Sequence, residues 1–270
     1  MGKIIGICNQ KGGTGKTTTA INLSSYLGLA SKKTLLIDMD PQGNATSGVG
    51  FDAAEKNSIY DIISGKAGLT DSLYPTLWPN LSIIPSNISL TGGEVELVNI
   101  ENRELKLREE LIKIKSDFDY IIIDAPPSLG LLTLNVLAAS DSLIIPIQCE
   151  YYALEGVSKL VNTIELVGER LNPSLDIERV LLTMADFRTR LTLQVVEEVR
   201  KFFQKKTFNI VIPRNVKLAE APSFGKPIYF YDRTCIGAMA YLTLTQELLG
   251  QEIILKQDLL NDAALAVKKP

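Results

Sequence analysis

Residues 9–18, Asn-Gln-Lys-Gly-Gly-Thr-Gly-Lys-Thr-Thr (NQKGGTGKTT), join two segments of different character. Before them, Ile4-Ile5-Gly6-Ile7-Cys8 is a short, nearly continuous apolar run, which is how a strand buried on both faces reads. After them, residues 16–30 read as a helix. A strand, a turn containing Gly12, Gly13 and Gly15, and a helix N-terminus make an anion site. The glycines let backbone N–H groups crowd a phosphate, and the helix dipole adds positive potential. Lys16 is placed to meet the β- and γ-phosphates of a nucleotide, and Thr17 offers a hydroxyl to Mg²⁺. The ordinary loop, GxxxxGK[ST], requires glycine at position 10. Here Gln10 stands there and Lys11 follows, so the loop carries two lysines where one suffices.

Further apolar, β-branched runs recur at Thr34–Ile37, Leu81–Ile84, Tyr120–Ile123, Leu143–Ile147, Val180–Thr183 and Asn209–Ile212. Helical patterns separate them, at about 101–116, 130–139, 154–171, 191–206 and 237–249. Strand then helix, repeated, predicts a doubly wound α/β fold: a mostly parallel sheet flanked by helices, with right-handed crossovers. No internal repeat, low-complexity linker or composition break divides the 270 residues, so residues 1–270 read as a single domain. The tail, about 251–270, reads as a docked or frayed helix.

Composition narrows the chemistry. The chain has no histidine, which removes Ser-His and Cys-His nucleophiles and most imidazole metal sites. Cys8, Cys149 and Cys235 are far apart and form no CxxC, so neither a zinc site nor a disulfide framework is indicated, and a reducing, cytoplasmic setting fits. No signal peptide and no run of roughly 18 apolar residues is present. The formal charge is −3, so any contact with nucleic acid must come from a local patch of cations.

Four blocks together carry a family resemblance. KGGTGKTT (11–18) resembles the deviant Walker A motif of the ParA/MinD superfamily. LLIDMDPQGNATSG (35–48) is similar to the Soj-like ParA ATPases of chromosome and plasmid partitioning. YIIIDAPPSLG (120–130) resembles their Walker B strand, and IPRNVKLAEAPSFGKPI (212–228) their C-terminal nucleotide-side segment. The blocks follow family order from residue 3 to about 228. The resemblance implies a P-loop ATPase with ATP and Mg²⁺ as cofactors and slow intrinsic turnover. It also implies that ATP joins two subunits, that the dimer binds DNA without sequence preference at the nucleoid, and that a ParB-type (Spo0J-like) partner stimulates hydrolysis and release.

Residue by residue, Lys11, Gly12, Gly13, Thr14, Gly15, Lys16, Thr17 and Thr18 would hold the phosphates. The resemblance implies that Lys11 reaches across the dimer to the other subunit's phosphates, that Asp40 positions the attacking water, and that Pro213 and Asn215 lie at the adenine. Lys11, Lys16 and Asp40 are therefore the expected catalytic residues. Asp38, ending one apolar run, belongs to the metal's water shell or to the loop, and Asp124, ending another, calls for a metal because a buried charge is costly without a partner. An asparagine amide can both donate to and accept from an adenine edge. For DNA, DFRTRL supplies Arg188 and Arg190, and RNVKL supplies Arg214 and Lys217; the resemblance points to Arg188 and Lys217. Lys201, Lys205 and Lys206 on the 191–206 helix either extend the patch or, as each reads by itself, form a solvated helix face.

The competing expectation is a MinD-like membrane-surface switch, which needs a basic amphipathic C-terminal helix. The tail QEIILKQDLLNDAALAVKKP is mixed in charge and ends in only two lysines. A metal-cluster carrier would need paired cysteines. A regulator that binds nucleotide with little hydrolysis remains compatible with the same residues.

Overall fold

The computed structural model describes residues 2–98, 100–151 and 153–253, without the side chains of 94, 95, 155 and 156. Seven strands form one sheet: β1 (Lys3–Ile7), β2 (Thr34–Asp38), β3 (Tyr74–Pro75), β4 (Leu81–Ile84), β5 (Tyr120–Asp124), β6 (Ser142–Gln148) and β7 (Asp176–Thr183). Their order is β3-β4-β2-β5-β1-β6-β7, with every pairing parallel except β3 against β4. The helices are α1 (Lys16–Leu29), α2 (Asn44–Gly48), α3 (Ile59–Ile63), α4 (Ser89–Leu97), α5 (Lys106–Leu111), α6 (Leu131–Ala139), α7 (Glu155–Arg170), α8 (Arg190–Phe203), α9 (Val216–Glu220), α10 (Ile228–Asp232) and α11 (Ile236–Leu249).

The continuous apolar runs work as expected for strands covered on both sides. Ile4, Leu35, Ile37, Ile121, Ile123, Leu143 and Ile145 point into one core, while Ile5, Ile7, Leu36, Ile122 and Ile144 point into the other. Full burial of each such side chain stabilises the fold by roughly 1.5–3 kcal/mol relative to exposure. The chain leaves β1 towards β2 on one side, whereas β5 leads to β6 and β7 on the other. The carboxyl ends of β1, β2 and β5 therefore open on the crevice where such sheets bind ligands.

Helix α1 runs beneath this crevice and is buried from Thr19 to Leu29, including its small polar residues Thr19, Asn22, Ser24 and Ser25. Tyr26 Oη donates to the Ala238 carbonyl at 2.7 Å, and the Thr19 and Tyr241 hydroxyls meet at 3.1 Å, tying α1 to α11. Gly28 is required by contact: a Cβ there would lie 2.2 Å from the Pro79 carbonyl oxygen.

Three expectations change. Asn209–Ile212 is not a strand of the sheet; it runs irregularly along β7, with Phe208 N–H donating to Val180 and Ile212 N–H to Leu182, both at 2.9 Å. The helix expected at 101–116 is confined to α5 and a 3₁₀ turn at Lys115–Asp117. Asn135 of α6 sets where α5 begins, accepting from Leu107 N–H at 3.1 Å and donating to the Arg103 carbonyl at 2.8 Å. Short elements α2, α3, α4, α9 and α10, and edge strand β3, were not anticipated. Of the tail expected over 251–270, residues 254–270 lie outside the described residues. No helix among the described residues is long and apolar enough to cross a membrane.

Candidate active site

The loop between β1 and α1 is anchored at both ends. Asn9 Nδ2 donates to the Pro146 carbonyl at 2.7 Å, and Asn9 Oδ1 accepts from Lys11 N–H at 3.0 Å. Thr183 Oγ1 donates to the Thr14 carbonyl at 2.8 Å. Gly13 (φ 73°) and Gly15 (φ 89°) take left-handed backbone that other residues adopt only with strain. Gly15 is the N-cap of α1, no side chain caps this end, and no acidic residue lies in the first turn. The first N–H groups of a 14-residue helix are thus free of protein acceptors and complementary to an anion.

Lys16 is 6% exposed, and its Nζ donates to the Lys11 carbonyl at 3.2 Å. Burial lowers its pKa, opposed by the charges of Asp124, Cys8 and Asp40. Lys11 points elsewhere: its half-exposed Nζ pairs with Glu150 Oε2 at 3.1 Å.

Asp38 and Asp124 end neighbouring strands and are register partners, both 0% exposed. Their environments differ. Asp38 accepts from the Thr46 N–H at 2.8 Å, the Thr46 hydroxyl at 2.7 Å and the Asp40 N–H at 3.1 Å. Burial pushes its carboxyl up to about 6 despite those bonds. Both oxygens of Asp124 are buried without a hydrogen-bond partner of good geometry. Burial, then the Asp38 carboxylate, raise its pKa well above the usual carboxylate range, while the nearby Thr17 hydroxyl and Lys16 ammonium act in the opposite direction. Asp38 thus builds the turn that carries Asp40, whereas Asp124 is offset only in part, by Thr17 and Lys16. Asp40 is 7% exposed, and its Oδ1 accepts from Gln42 N–H at 3.0 Å. No cluster of three or more acidic, cysteine or histidine side chains capable of holding a metal occurs among the described residues. The cation donors that the arrangement offers are Thr17 and the carboxylates around it.

Beside the α1 N-terminus lies an apolar cavity of about 330 Å³, lined by Gly15, Thr18, Met184, Pro213, Asn215 and Tyr241 among others. Pro213 and Asn215 therefore border the same cavity as the phosphate loop. Asn215 is also the N-cap of α9: its Oδ1 accepts from Lys217 N–H at 2.9 Å, which takes one of that oxygen's two acceptor positions. Met184 closes the end of β7 in left-handed backbone, φ 53°.

Of the expected DNA contacts, Arg188 and Arg214 share a neighbourhood, because Ala185 bridges Pro213 and Arg214 N–H donates to the Ala185 carbonyl at 3.0 Å. Arg188 grips Asp186 through two bonds, at 2.7 and 2.6 Å, and holds its carboxyl down at about 2. Lys217 pairs with Glu220 at 3.0 Å and lies over the Tyr231 ring. Arg190 is exposed at the start of α8. Each of the two cations favoured for DNA thus has a carboxylate beside it.

Several contributors had little signal in the sequence. Thr183 and Met184 follow from the end of a legible strand once the strand order is known. Asn9, Thr46 and Glu150 act through contacts distant in sequence.

Comparison with known proteins follows the same lines. A family model described as an AAA domain matches residues 2–177. The sporulation initiation inhibitor protein Soj of Bacillus subtilis is 56% identical over 248 residues, 92% of this chain and 98% of that one. The chromosome partitioning protein ParA of Myxococcus xanthus is 54% identical over 253 residues, 93% of this chain and 89% of that one. A solved structure of cobyrinic acid a,c-diamide synthase from Mycobacterium smegmatis, with bound ADP and magnesium, superposes with TM-score 0.79 at 32% identity, covering 95% of this chain and all of that one.

Proposed function

The chain belongs to the Soj/ParA family of chromosome-partitioning ATPases, and on that premise we propose that it is one ATPase domain working as a nucleotide-gated, DNA-binding dimer in the cytoplasm. ATP joins two subunits, the dimer holds DNA without sequence preference at the nucleoid, and hydrolysis stimulated by a ParB-type partner releases it. The observation that carries this is the Asp124 carboxylate: buried, without a well-placed hydrogen-bond donor, and within the influence of Thr17 and Lys16 at an uncapped helix N-terminus. Such a group is costly alone and is offset by a cation. Mg²⁺ fits there, held by Thr17 and Asp124, and supplies charge neutralisation on the β- and γ-phosphates.

The chain's own residues do the rest. Gly12 to Thr18 give backbone N–H groups to the phosphates, and Lys16 exchanges the Lys11 carbonyl for a phosphate oxygen. Asp38 holds the turn at Thr46 so that Asp40 stands ready to orient the attacking water. Lys11 extends to the facing subunit, where it meets phosphate charge that would otherwise repel its counterpart, in the manner of an arginine finger. The base enters the cavity at Pro213 and Asn215. Arg188, Arg190, Arg214 and Lys217 meet DNA phosphates.

The test is Asp40→Ala. It should bind ATP, fail to turn it over, and run as a dimer on size exclusion with ATP and as a monomer without, retaining DNA only in the first state. Turnover at the wild-type rate would remove Asp40 from the water-positioning role. A monomer with ATP would sink the gated dimer. The membrane-surface alternative turns on a tail that lies mostly outside the described residues, and a relative 54% identical carries the partitioning name.

A further inference from the structure

Glu150 takes no part in the chemistry above, yet it is the side chain that holds Lys11. Its Oε2 accepts from Lys11 Nζ at 3.1 Å, its Oε1 accepts from Gln148 Nε2, and its own N–H donates to the Gln148 carbonyl at 2.8 Å. The neighbouring Cys149 N–H donates to the Thr183 carbonyl at 3.0 Å, and Thr183 in turn binds the Thr14 carbonyl of the loop. Lys11 is equally fixed at its backbone, its N–H on Asn9 and its carbonyl on Lys16. Both ends of the ion pair therefore stand on constrained backbone. The half-exposed side chains are what can change partners, and that of Lys11 runs to Glu150.

We propose that Glu150 is a positioning residue for Lys11. In the single subunit it carries the second lysine at the rim of the loop, clear of that subunit's own phosphates, and gives it up to the facing subunit's nucleotide when the dimer forms. This rests on the reading of Lys11 as a residue acting across the interface. The pair suits exchange. Its side chains are 41% and 45% exposed, so it is weak enough to open, whereas a buried pair would be strongly resistant to losing one partner. Two such pairs open per dimer. Glu150 therefore sets the subunit concentration at which ATP produces dimers.

The experiment measures that concentration by sedimentation with saturating ATP for wild type, Glu150→Gln, Lys11→Ala and the double variant. Glu150→Gln should lower the half-dimer concentration by roughly 2- to 30-fold, the range expected when two half-exposed pairs are removed. Glu150→Asp, which keeps the charge, should return it most of the way. In the Lys11→Ala background, Glu150→Gln should change nothing, as a double-mutant cycle requires of a residue acting through its partner. An unchanged or raised half-dimer concentration in Glu150→Gln, beside a Lys11→Ala variant that dimerises poorly, overturns the proposal alone, as does an equal shift with and without Lys11. Wild-type dimerisation by Lys11→Ala would instead refute the cross-subunit role of Lys11, and the proposal with it.

Discussion

Two adjacent carboxylates, Asp38 and Asp124, set the electrostatics of the site. Both have raised pKa values, so the folded protein keeps protons that the unfolded chain releases. The sign is therefore opposite to that of a salt-bridged aspartate. Stability of the nucleotide-free protein should fall as pH rises from the ordinary carboxylate value near 4 to about 6, the window given by Asp38, and the Asp38 contribution should then level off. Asp124→Asn should raise the thermal midpoint of the nucleotide-free protein at pH 7, by about 1 kcal/mol or more in stability, while abolishing the Mg²⁺ dependence of nucleotide binding. A lowered midpoint would mean that the charge is already compensated. At this scale the sequence was most legible where chemistry is local. Lys16, Thr17 and the two strand-end aspartates announce themselves by what precedes and follows them. The division of labour between Asp38 and Asp124 was not legible, because it depends on Thr46 reaching one carboxylate and no well-placed protein donor reaching the other.

Elements read well when their own pattern decides them. Six of the strands contain a short apolar run buried on both faces, although the similar run at 209–212 is not a strand, because it pairs only irregularly along β7. Short elements failed for two reasons: α5 starts where the distant Asn135 permits, and α3 has only five residues after its Ser58–Asp61 cap, too few to show a helical period. The element that carries the most weight near the site is also short. After Asp40, α2 leads to Gly50, which lies back to back with Gly225 beyond α9. Both glycines have positive φ, and a Cβ on Gly225 would stand 2.7 Å from the Gly50 Cα. The segment bearing Asp40 thus rests directly on the segment bearing Lys217. Gly225→Ala should cost about 2–4 kcal/mol, the sum of a strained left-handed alanine and an overlap with backbone that cannot yield. Chemical denaturation measures this, and an unchanged midpoint would show that the contact is not needed. In any folded fraction, nucleotide should alter DNA retention less than in wild type.

At the scale of the whole molecule, the proposed DNA binding asks an acidic chain to hold an acidic polymer through a few cations. Two of them already have carboxylate neighbours. Arg188→Glu should leave ATP turnover intact and weaken DNA binding at least tenfold, and Asp186→Asn should tighten it several-fold by releasing Arg188. Fluorescence anisotropy across a salt series reads both, and the slope of log K against log salt should shrink by about one for each phosphate that is no longer neutralised. Equal affinities for all three proteins would clear Arg188 of any part in DNA binding. The borders of the sheet carry one more consequence. On one side β3 offers two residues, of which Pro75 has no N–H to donate; on the other, the chain from Thr207 to Pro213 lies along β7 and takes its bonds. Among the described residues, β3 is too short, and β7 too well covered from Val180 onward, to present a long free ladder on which a second copy could lay a strand. Crowding many copies onto one length of DNA should therefore not seed amyloid-like stacking, and a concentrated local population can form and disperse as often as ATP is spent.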